Sequence, residues 1–426
     1  MRVLILGGGG REHALAWKIA RSSLCEAVLC APGNAGTAQL GANLSLDLTD
    51  GDAVAAACVE HRIDLVVVGP EKPLVDGLVD HLQAVGVPTF GPSAAASQLE
   101  GSKSFAKDFM SRHHIPTAAH HVFTEAGPLL AHLATCPVPV VVKADGLAAG
   151  KGVIVCMTRS EAVEAGRAMA QERRFGAAAD RIVVEEFMEG EEATVLALVD
   201  GTTVVLLAPS QDHKRRFDGD EGPNTGGMGA YTPVPALDAA LLARIRAEVL
   251  EPAARGLVQD GMPYHGLLYA GLMLTPSGPR VVEFNCRFGD PECQPLMLGL
   301  ESDLLPLLAA TAAGELASQP EPRWYAGAVC CVVMVAGGYP DSYAKGLPIR
   351  GLPGDTDDVV VFHAGTRAEG QQVLTAGGRV LGVTARGADF AAARAAAYAT
   401  VSTISWEGAS YRRDIGWRAI SNSEDS

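Results

Sequence analysis

The stretch VVEFNCRFGDPECQP, residues 281–295, places many polar groups where an apolar run ends. Glu283 and Asn285 are two residues apart, so their side chains project from one face of a predicted strand. A carboxylate and an amide oxygen on one face suit a Mg²⁺ ion that bridges nucleotide phosphates. Arg287 continues this alternation and can neutralise a transferring phosphoryl group or clamp a carboxylate. Asp290 lies past the following turn.

A second polar stretch, KADGLAAGKGV at residues 143–153, joins two predicted strands. It differs from a Walker loop because it is one residue short and lacks the final hydroxyl. A flexible glycine hairpin can nevertheless close over triphosphate oxygens, and Lys143 at a strand end would supply a point charge to them. An ordinary surface hairpin is the alternative. The other residues that we expect to act in this loop are Gly146, Gly150, Lys151 and Gly152.

Two further stretches are candidates for ligand contacts. In VVEEFMEGEEATV, residues 183–195, a strand ends in two acids and an aromatic residue, which suits an adenine slot followed by an acid for ribose hydroxyls. Acidic hairpin faces are common, so this signal alone is weak. SQDHKRRFDGDEGPNTGGMGAY, residues 210–231, shows no apolar periodicity, and long unpatterned loops in compact domains are usually functional or disordered. We interpret residues 210–231 as a functional loop whose backbone comes close to a ligand.

The first hundred residues alternate apolar strands at 3–7, 27–31, 65–69 and 87–91 with helical stretches, which predicts a parallel sheet. Glycine-rich loops follow the strands, and the carboxyl edge of such a sheet is the usual ligand crevice. The run GGGGREH fails the dinucleotide fingerprint, because Glu12 or His13 takes the third glycine position. A sugar-phosphate ligand is therefore favoured over NAD, and a purely structural tight turn is the alternative.

The organisation predicted for the rest of the chain gives an α/β protein with three parts. We expect a Rossmann-like N-terminal parallel sheet, a two-lobed centre, and a small C-terminal α/β or barrel-like domain. The predicted bounds are 1–101, 102–325 with a lid lobe at 120–190, and 326–426.

Composition limits the partners of this 426-residue chain. The net charge of −15 disfavours nucleic acid, and no apolar run approaches the length of a membrane span. The nine cysteines form no disulfide framework or Cys-x-x-Cys pair, and the glycine-rich N-terminus does not read as a secretory signal, so we predict a cytoplasmic location. Lysine is scarce, with 8 residues against 26 arginines, yet four lysines fall in the polar stretches: Lys103, Lys143, Lys151 and Lys214.

Taken together, these segments resemble the ATP-grasp superfamily and, within it, the phosphoribosylamine–glycine ligase family. RFGDPECQ (287–294) with GPNTGGMGAY (222–231) is the specific part of the resemblance. GGGGREHALAWK (7–18), APGNAGT (31–37), QDHKR (211–215) and DIGWRA (414–419) are also similar, so the likeness spans essentially the whole chain. It implies that ATP, glycine and 5-phosphoribosylamine give glycinamide ribonucleotide, ADP and phosphate, through glycyl phosphate, in purine biosynthesis.

The resemblance also implies residue roles. Lys103, Lys143 and the 146–152 loop would hold ATP phosphates, Glu185 and Phe187 would line the adenine slot, and Glu192 would hold the ribose. Glu283 and Asn285 would ligate Mg²⁺ or Mn²⁺, while Asp212, Lys214, Arg287 and Asp290 would serve the reacting groups. The phosphoribosylamine would be bound by the 7–10 and 33–37 loops with the following strand end, that is by Gly8, Gly9, Gly10, Asn34, Gly36, Thr37, Pro70 and Glu71. The substrate and acyl phosphate would be bound by Asn224, Gly226, Gly227 and Met228.

One departure from the superfamily concerns the metal. Many members carry another carboxylate on the strand before the Glu-x-Asn strand, where this chain has Gly271. The number of metal ions therefore stays open. Three other functions also stay open: another ATP-grasp ligase or carboxylase, a nicotinamide oxidoreductase, and a non-catalytic nucleotide-binding module. We expect a monomer or weak dimer.

Overall fold

The N-terminal part, seen in a computed structural model that describes residues 1–148 and 152–424, is a parallel sheet with helices on its faces. The strand order is β3-β2-β1-β4-β5, and each neighbouring pair is parallel. The strands are β1 Arg2–Gly7, β2 Ala27–Pro32, β3 Ala42–Asn43, β4 Leu65–Val68 and β5 Thr89–Phe90; the helices are α1 Gly10–Ala20, α2 Thr37–Leu40, α3 Gly51–Glu60, α4 Glu71–Val75, α5 Leu78–Ala84 and α6 Gln98–Gly101.

These elements match the apolar runs in the sequence. β1 is buried along its length after the first residue, because helices cover both faces of a parallel sheet. The helical stretch between the predicted strands at 65–69 and 87–91 forms two helices separated at Asp76 and Gly77, where glycine disfavours continuation of the helix. The loops after β1 and β2 lie together at the carboxyl edge of the sheet, as the βαβ pattern predicts.

The lid lobe follows α7 (Lys103–Arg112) and is a four-stranded antiparallel sheet in the order β6-β9-β7-β8. β7 and β8 pair directly, so the glycine-rich stretch joins two strands as predicted. Gly150 and Lys151 lie outside the described residues. The elements are β6 His120–Phe123, α8 Ala126–Leu133, β7 Val140–Ala144, β8 Val153–Cys156, α9 Arg159–Ala170 and β9 Ile182–Glu186.

The central sheet has the antiparallel order β11-β10-β16-β17 and carries the Glu-x-Asn strand at its edge. The helical region over residues 239–259 contains a wide π-turn at Arg246–Leu250, just before Pro252, which cannot donate a helical hydrogen bond. The elements are β10 Glu191–Asp200, β11 Thr203–Leu206, β12 Gln211–Asp212, β13 Arg215–Phe217, β14 Glu221–Asn224, β15 Gly229–Thr232, α10 Ala239–Ile245, α11 Glu251–Gln259, β16 His265–Thr275, β17 Gly278–Asn285, α12 Cys293–Gly299 and α13 Leu304–Ala313.

The C-terminal sheet is antiparallel, with the order β12-β15-β18-β22-β19, and α14 packs against it. Two of its strands come from residues 211–232, so the stretch interpreted as an unpatterned loop is partly sheet. Its strands are too short to show a period. The predicted domain bounds stay a prediction. The elements are β18 Ala328–Val335, β19 Val359–His363, β20 Thr366–Glu369, β21 Gln372–Thr375, β22 Arg379–Gly387, α14 Phe390–Val401 and α15 Trp417–Glu424.

Within the described ranges, no helix is long and apolar enough to cross a membrane.

Candidate active site

A cavity of about 490 Å³ lies where the lid sheet, the central sheet and α7 meet. This volume is in the range of small-ligand sites. Arg11 and Glu71 reach it from α1 and α4 of the N-terminal part, and Arg379 reaches it from β22. The predicted site residues that line it are Lys103, Lys143, Gly152, Glu185, Phe187, Glu192, Asp212, Lys214, Asn224, Gly226, Glu283, Asn285, Arg287 and Asp290, with Glu71.

Glu283 and Asn285 both face this cavity from the last residues of β17. Burial favours the neutral form of Glu283, but Lys214, Lys143 and Lys103 outweigh it and hold the pKa of that carboxyl below its ordinary value. A carboxylate that stays ionised beside an amide oxygen fits a divalent cation that keeps water or phosphate oxygens as further ligands. The two residues present therefore fit Mg²⁺ or Mn²⁺.

Gly271 lies directly opposite Glu283 in the β16–β17 pair. The neighbouring strand thus offers no carboxylate at this position. No group of three or more His, Cys, Asp or Glu side chains that could hold a metal occurs among the described residues. Few side chains are therefore available as metal ligands beside Glu283 and Asn285.

Three buried groups, Lys107, Lys143 and Glu185, form an ion cluster that lines the same cavity as Glu283 and Asn285. The Lys143 ammonium lies 2.9 Å from Oε1 of Glu185, and the Lys107 ammonium lies 3.0 Å from Oε2. Each of the three side chains is 5% exposed or less. Glu185, predicted to line the adenine slot, lines the cavity, but both of its oxygens face lysines. Its geometry is that of a counter-ion.

Lys107 was missed in the sequence. Its ammonium also donates to the hydroxyl of Thr117 at 2.8 Å, and burial lowers its pKa to about 8. Lys103 and Lys107 are four residues apart on α7, so they lie on one face of that helix. This spacing was the signal that could have found Lys107. Lys103 itself donates to the carbonyl of Gly146 at 3.1 Å and so ties α7 to the glycine hairpin.

Lys214 and Asp212 face the cavity from the start of the 211–224 hairpin. The Lys214 ammonium donates to Oε2 of Glu192 at 2.6 Å. Burial opposes the charge of Lys214, but Glu192 and Asp212 outweigh burial and hold its pKa well above the ordinary value. Burial, aided by the charges of Glu292, Glu192 and Glu283 and opposed by Lys214, raises the pKa of Asp212 to about 7. Asp212 can therefore exchange a proton near neutral pH.

Arg287 links the strand end that carries Asn285 to helices of the N-terminal part. Its guanidinium donates to Oδ1 of Asn285 at 3.1 Å and lies 2.9 Å from Oε1 of Glu100. Its Nε is 3.6 Å from Oε2 of Glu71. Glu100 was not singled out in the sequence, because a lone acid at a helix end carries no distinctive pattern.

The predicted phosphoribosylamine loops lie beside Asp290 at the carboxyl edge of the N-terminal sheet. The Asn34 amide donates to the Gly8 carbonyl at 3.0 Å and to the His363 carbonyl at 2.8 Å, while its oxygen accepts from the backbone of Gly36. Thr37 is buried with it. Pro70 precedes α4, whose first residue, Glu71, faces the cavity. Gly8, Gly9, Gly10, Asn34, Gly36, Thr37 and Pro70 are not among the residues that line the cavity described above.

Arg379 extends the site into the C-terminal part. Its guanidinium donates to the carbonyls of Gly226 and Asp290 and lies 3.3 Å from Oδ2 of Asp290. Burial opposes ionisation of Asp290, but Arg379 and Arg11 outweigh it and hold the pKa of that carboxyl below its ordinary value. No local sequence pattern pointed to Arg379, because it meets Asp290 only through folding.

Gly227 and Met228 belong to the NTGGMG turn but are not among the residues that line the cavity. Met228 is fully buried in the C-terminal core. Gly227 has φ +113°, and a Cβ there would lie 2.3 Å from Cδ of Pro291. The turn therefore approaches Pro291 more closely than a side chain allows.

Gly227→Ala is expected to shift this turn away from Pro291. We expect a loss of about 1–3 kcal/mol in the free energy of unfolding and a lower kcat/KM, because the added methyl is both strained and overpacked. Urea denaturation and steady-state assays measure the two effects. Gly219→Ala is the matched control, since Gly219, in the preceding 211–224 hairpin, has φ +70° with no atom within 4 Å of its Cβ position. Equal losses in the two variants would show that Pro291 is not responsible.

The comparison with known proteins agrees with this architecture. Three family models match the chain: the N domain of phosphoribosylglycinamide synthetase over residues 1–100, its ATP-grasp (A) domain over 101–293 and its C domain over 329–418. The fold and site thus define an ATP-grasp protein. The chain belongs to the phosphoribosylglycinamide synthetase family, also named phosphoribosylamine–glycine ligase, and the family predicted from the sequence is confirmed.

Individual relatives cover the whole length. Phosphoribosylamine–glycine ligase of Caulobacter vibrioides is 53% identical, with 99% of each chain covered, and that of Vibrio cholerae is 52% identical, with 100% of each covered. The crystal structure of the Thermotoga maritima phosphoribosylamine–glycine ligase has a TM-score of 0.84 and 33% identity, covering 97% of this chain and 100% of that one.

A biotin carboxylase domain of Hydrogenobacter thermophilus, solved with MgADP and bicarbonate, has a TM-score of 0.74 at 15% identity, covering 96% of this chain and 91% of that chain. At this identity the likeness concerns the fold. The predicted α/β class with an ATP-grasp centre is confirmed.

Proposed function

We propose that this chain joins glycine to 5-phosphoribosylamine at the expense of ATP, giving glycinamide ribonucleotide, ADP and phosphate in purine biosynthesis. Membership of the ligase family supports the reaction. The observation that carries the residue roles is one cavity with lysines 103, 107 and 143 at one end and Asp212 and Lys214 near Glu283. The alternatives of a nicotinamide oxidoreductase and of a non-catalytic module have no support in this family.

The lysines at the lid end are proposed to hold the triphosphate. Lys143 and Lys103 come from different elements, β7 and α7, so that two ammonium groups converge on one ligand. The apolar lining residues Val141, Val155 and Phe187 would contact the base, and Glu192 would accept from ribose hydroxyls. Enclosure by the lid lobe would exclude water from the phosphoryl group. Gly146 and Gly152, from the two ends of the glycine-rich stretch, would approach the phosphates.

Glu283 and Asn285 are proposed to hold Mg²⁺ or Mn²⁺. Such a cation, when bound, neutralises negative charge on nucleotide phosphates. Arg287 orients Asn285 through its hydrogen bond to Oδ1 and is itself fixed by Glu100. Its charge is available to the anionic oxygens of the transferred group.

The ligation is proposed to run in two substitutions. A carboxylate oxygen of glycine attacks the γ-phosphorus, the bond from that phosphorus to the β,γ-bridging oxygen breaks, and ADP leaves with the electron pair, giving glycyl phosphate. The amine nitrogen of phosphoribosylamine then attacks the glycyl carbonyl carbon, and phosphate leaves. Asp212 would accept the proton that the amine loses, while Lys214 and Asp290 would orient the reacting groups. Holding the amine against the acyl phosphate can contribute about 7–11 kcal/mol.

A coupled ADP-release assay tests this reaction. We expect ADP only when glycine and freshly made phosphoribosylamine are both present, because the acyl phosphate needs its acceptor to turn over. Bicarbonate in place of glycine separates this reaction from carboxylation by an ATP-grasp relative. ADP formation with bicarbonate and none with glycine would contradict the proposal.

The remaining partners are proposed from the same chemistry. The chain is expected to act in the cytoplasm on small molecules, as a monomer or weak dimer, without nucleic acid or membrane. Size-exclusion chromatography with light scattering measures the oligomeric state.

A further inference from the structure

The C-terminal tail, residues 410–418, is bound tightly to the 211–224 hairpin. The backbone of Arg413 donates to Oδ1 of Asp218 at 2.7 Å, and the backbone of Gly219 donates to Oδ2 of Asp414 at 2.9 Å. Arg418 also pairs with Asp220. Hydrogen bonds in both directions thus join a tail near the end of the chain to a hairpin some two hundred residues earlier.

Arg412 lies at the centre of this junction, and its side chain is fully buried. Its Nε and Nη2 donate to the two oxygens of Asp414 at 2.8 and 2.7 Å. Its Nη1 donates to Oδ1 of Asp220 at 2.8 Å and to the carbonyl of Arg215 at 3.1 Å. The paired hydrogen bonds between the Arg412 guanidinium and the Asp414 carboxylate fix the orientation of the two side chains as well as the distance between them. Arg412 does not line the cavity described above.

A short path leads from Arg412 to the cavity. Arg215, whose carbonyl Arg412 holds, directly follows Lys214. His213, between Asp212 and Lys214, is fully buried, and its Nε2 accepts from the backbone of Gly416 in the tail at 3.0 Å. The backbone N–H of His213 donates to Gly229 at 2.9 Å, so the same residue is held on its other side by the NTGGMG segment.

We propose that Arg412 is a positioning residue that sets the placement of Asp212 and Lys214 from outside the cavity. This inference rests on the proposed function, because it assigns those two side chains to the reacting groups. The tail holds the hairpin at Arg215 and Asp220, and the backbone segment that carries Asp212 and Lys214 keeps its direction as a result. The C-terminal part thereby contributes to catalysis through a charge network that no substrate touches.

The test compares Arg412→Met and Arg412→Lys with the matched control Arg413→Met. Arg413 is the adjacent arginine, exposed, and joined to the hairpin through its backbone. Rates are expressed per folded enzyme, measured by circular dichroism, and the affinity for a non-hydrolysable ATP analogue is measured separately. We expect kcat/KM for glycine to fall about tenfold to a hundredfold in Arg412→Met, as small misplacements of reacting groups can cause.

The remaining outcomes decide between positioning and simple folding support. Nucleotide affinity is expected to change by less than about threefold, since Lys103 and Lys143 lie on other elements. Arg412→Lys should fall between the wild type and Arg412→Met, because it keeps the charge and loses the fork. A kcat/KM per folded molecule equal to that of Arg413→Met would overturn the proposal. A wild type inactive with glycine and phosphoribosylamine would instead overturn the proposed function.

Discussion

Glu283→Gln is expected to lower kcat for glycine-dependent ADP formation about a hundredfold to a thousandfold, in line with the loss of a charged group that acts on the transferred phosphoryl. The substitution keeps the size of the side chain and removes its charge. Three lysines hold the pKa of Glu283 low, so the wild-type residue is a carboxylate throughout the working pH range. Steady-state assays with saturating ATP and glycine measure the effect.

A readout besides activity separates metal binding from general damage. Wild-type enzyme should gain thermal stability from Mn²⁺ and an ATP analogue together, and Glu283→Gln should lose the part of this gain that depends on Mn²⁺. Glu301→Gln is the control, because Glu301 is exposed and outside the cavity lining. An unchanged Mn²⁺ effect in Glu283→Gln would mean that the metal lies elsewhere.

Glu185→Gln is expected to lower the free energy of unfolding by about 3–5 kcal/mol, because it leaves two buried ammonium groups without their counter-ion. The wild-type cluster shares one carboxylate between Lys107 and Lys143. Urea denaturation at pH 7 measures the loss. Glu186→Gln on the same strand is the control: that acid is half-exposed and pairs with Arg280, so its removal should cost about 1 kcal/mol or less.

The pH dependence of the same variant gives a second check. Burial lowers the pKa of Lys107 to about 8, so the unfolded chain binds more protons than the folded chain between about pH 8 and 10.5. The contribution of Lys107 to stability therefore rises with pH across that window. Removing Glu185 takes away the attraction that keeps Lys107 charged, so the window should extend to lower pH. The loss in free energy of unfolding caused by Glu185→Gln should therefore be smaller at pH 9 than at pH 7. An equal or larger loss at pH 9 would show that the variant does not leave buried lysines without a counter-ion.

The parts of the fold that depend on local periodicity could be predicted from the sequence. The strands of the N-terminal sheet follow from buried apolar runs, and the facing pair Glu283 and Asn285 follows from a spacing of two within one strand. Both depend on residues close together in the chain, where side-chain direction is set by backbone geometry.

The missed residues depend on contacts between distant segments. Arg379 reaches Asp290 across 89 residues, and Arg412 reaches Asp220 across 192. The residues 211–231 also gave no strand signal, because β12 has two residues and β15 has four. The two lysine partners of Glu185 were not predicted either, because only folding brings them to it.

The strand order of the C-terminal sheet limits how this protein could be divided. β18 pairs with β15 on one side and β22 on the other. A fragment that began near residue 326 would expose the β15-facing edge of β18, whose eight residues are all buried in the intact protein. Such an apolar edge invites self-association. A soluble fragment, or an exchange of this part between related proteins, would have to carry residues 211–232 along with it.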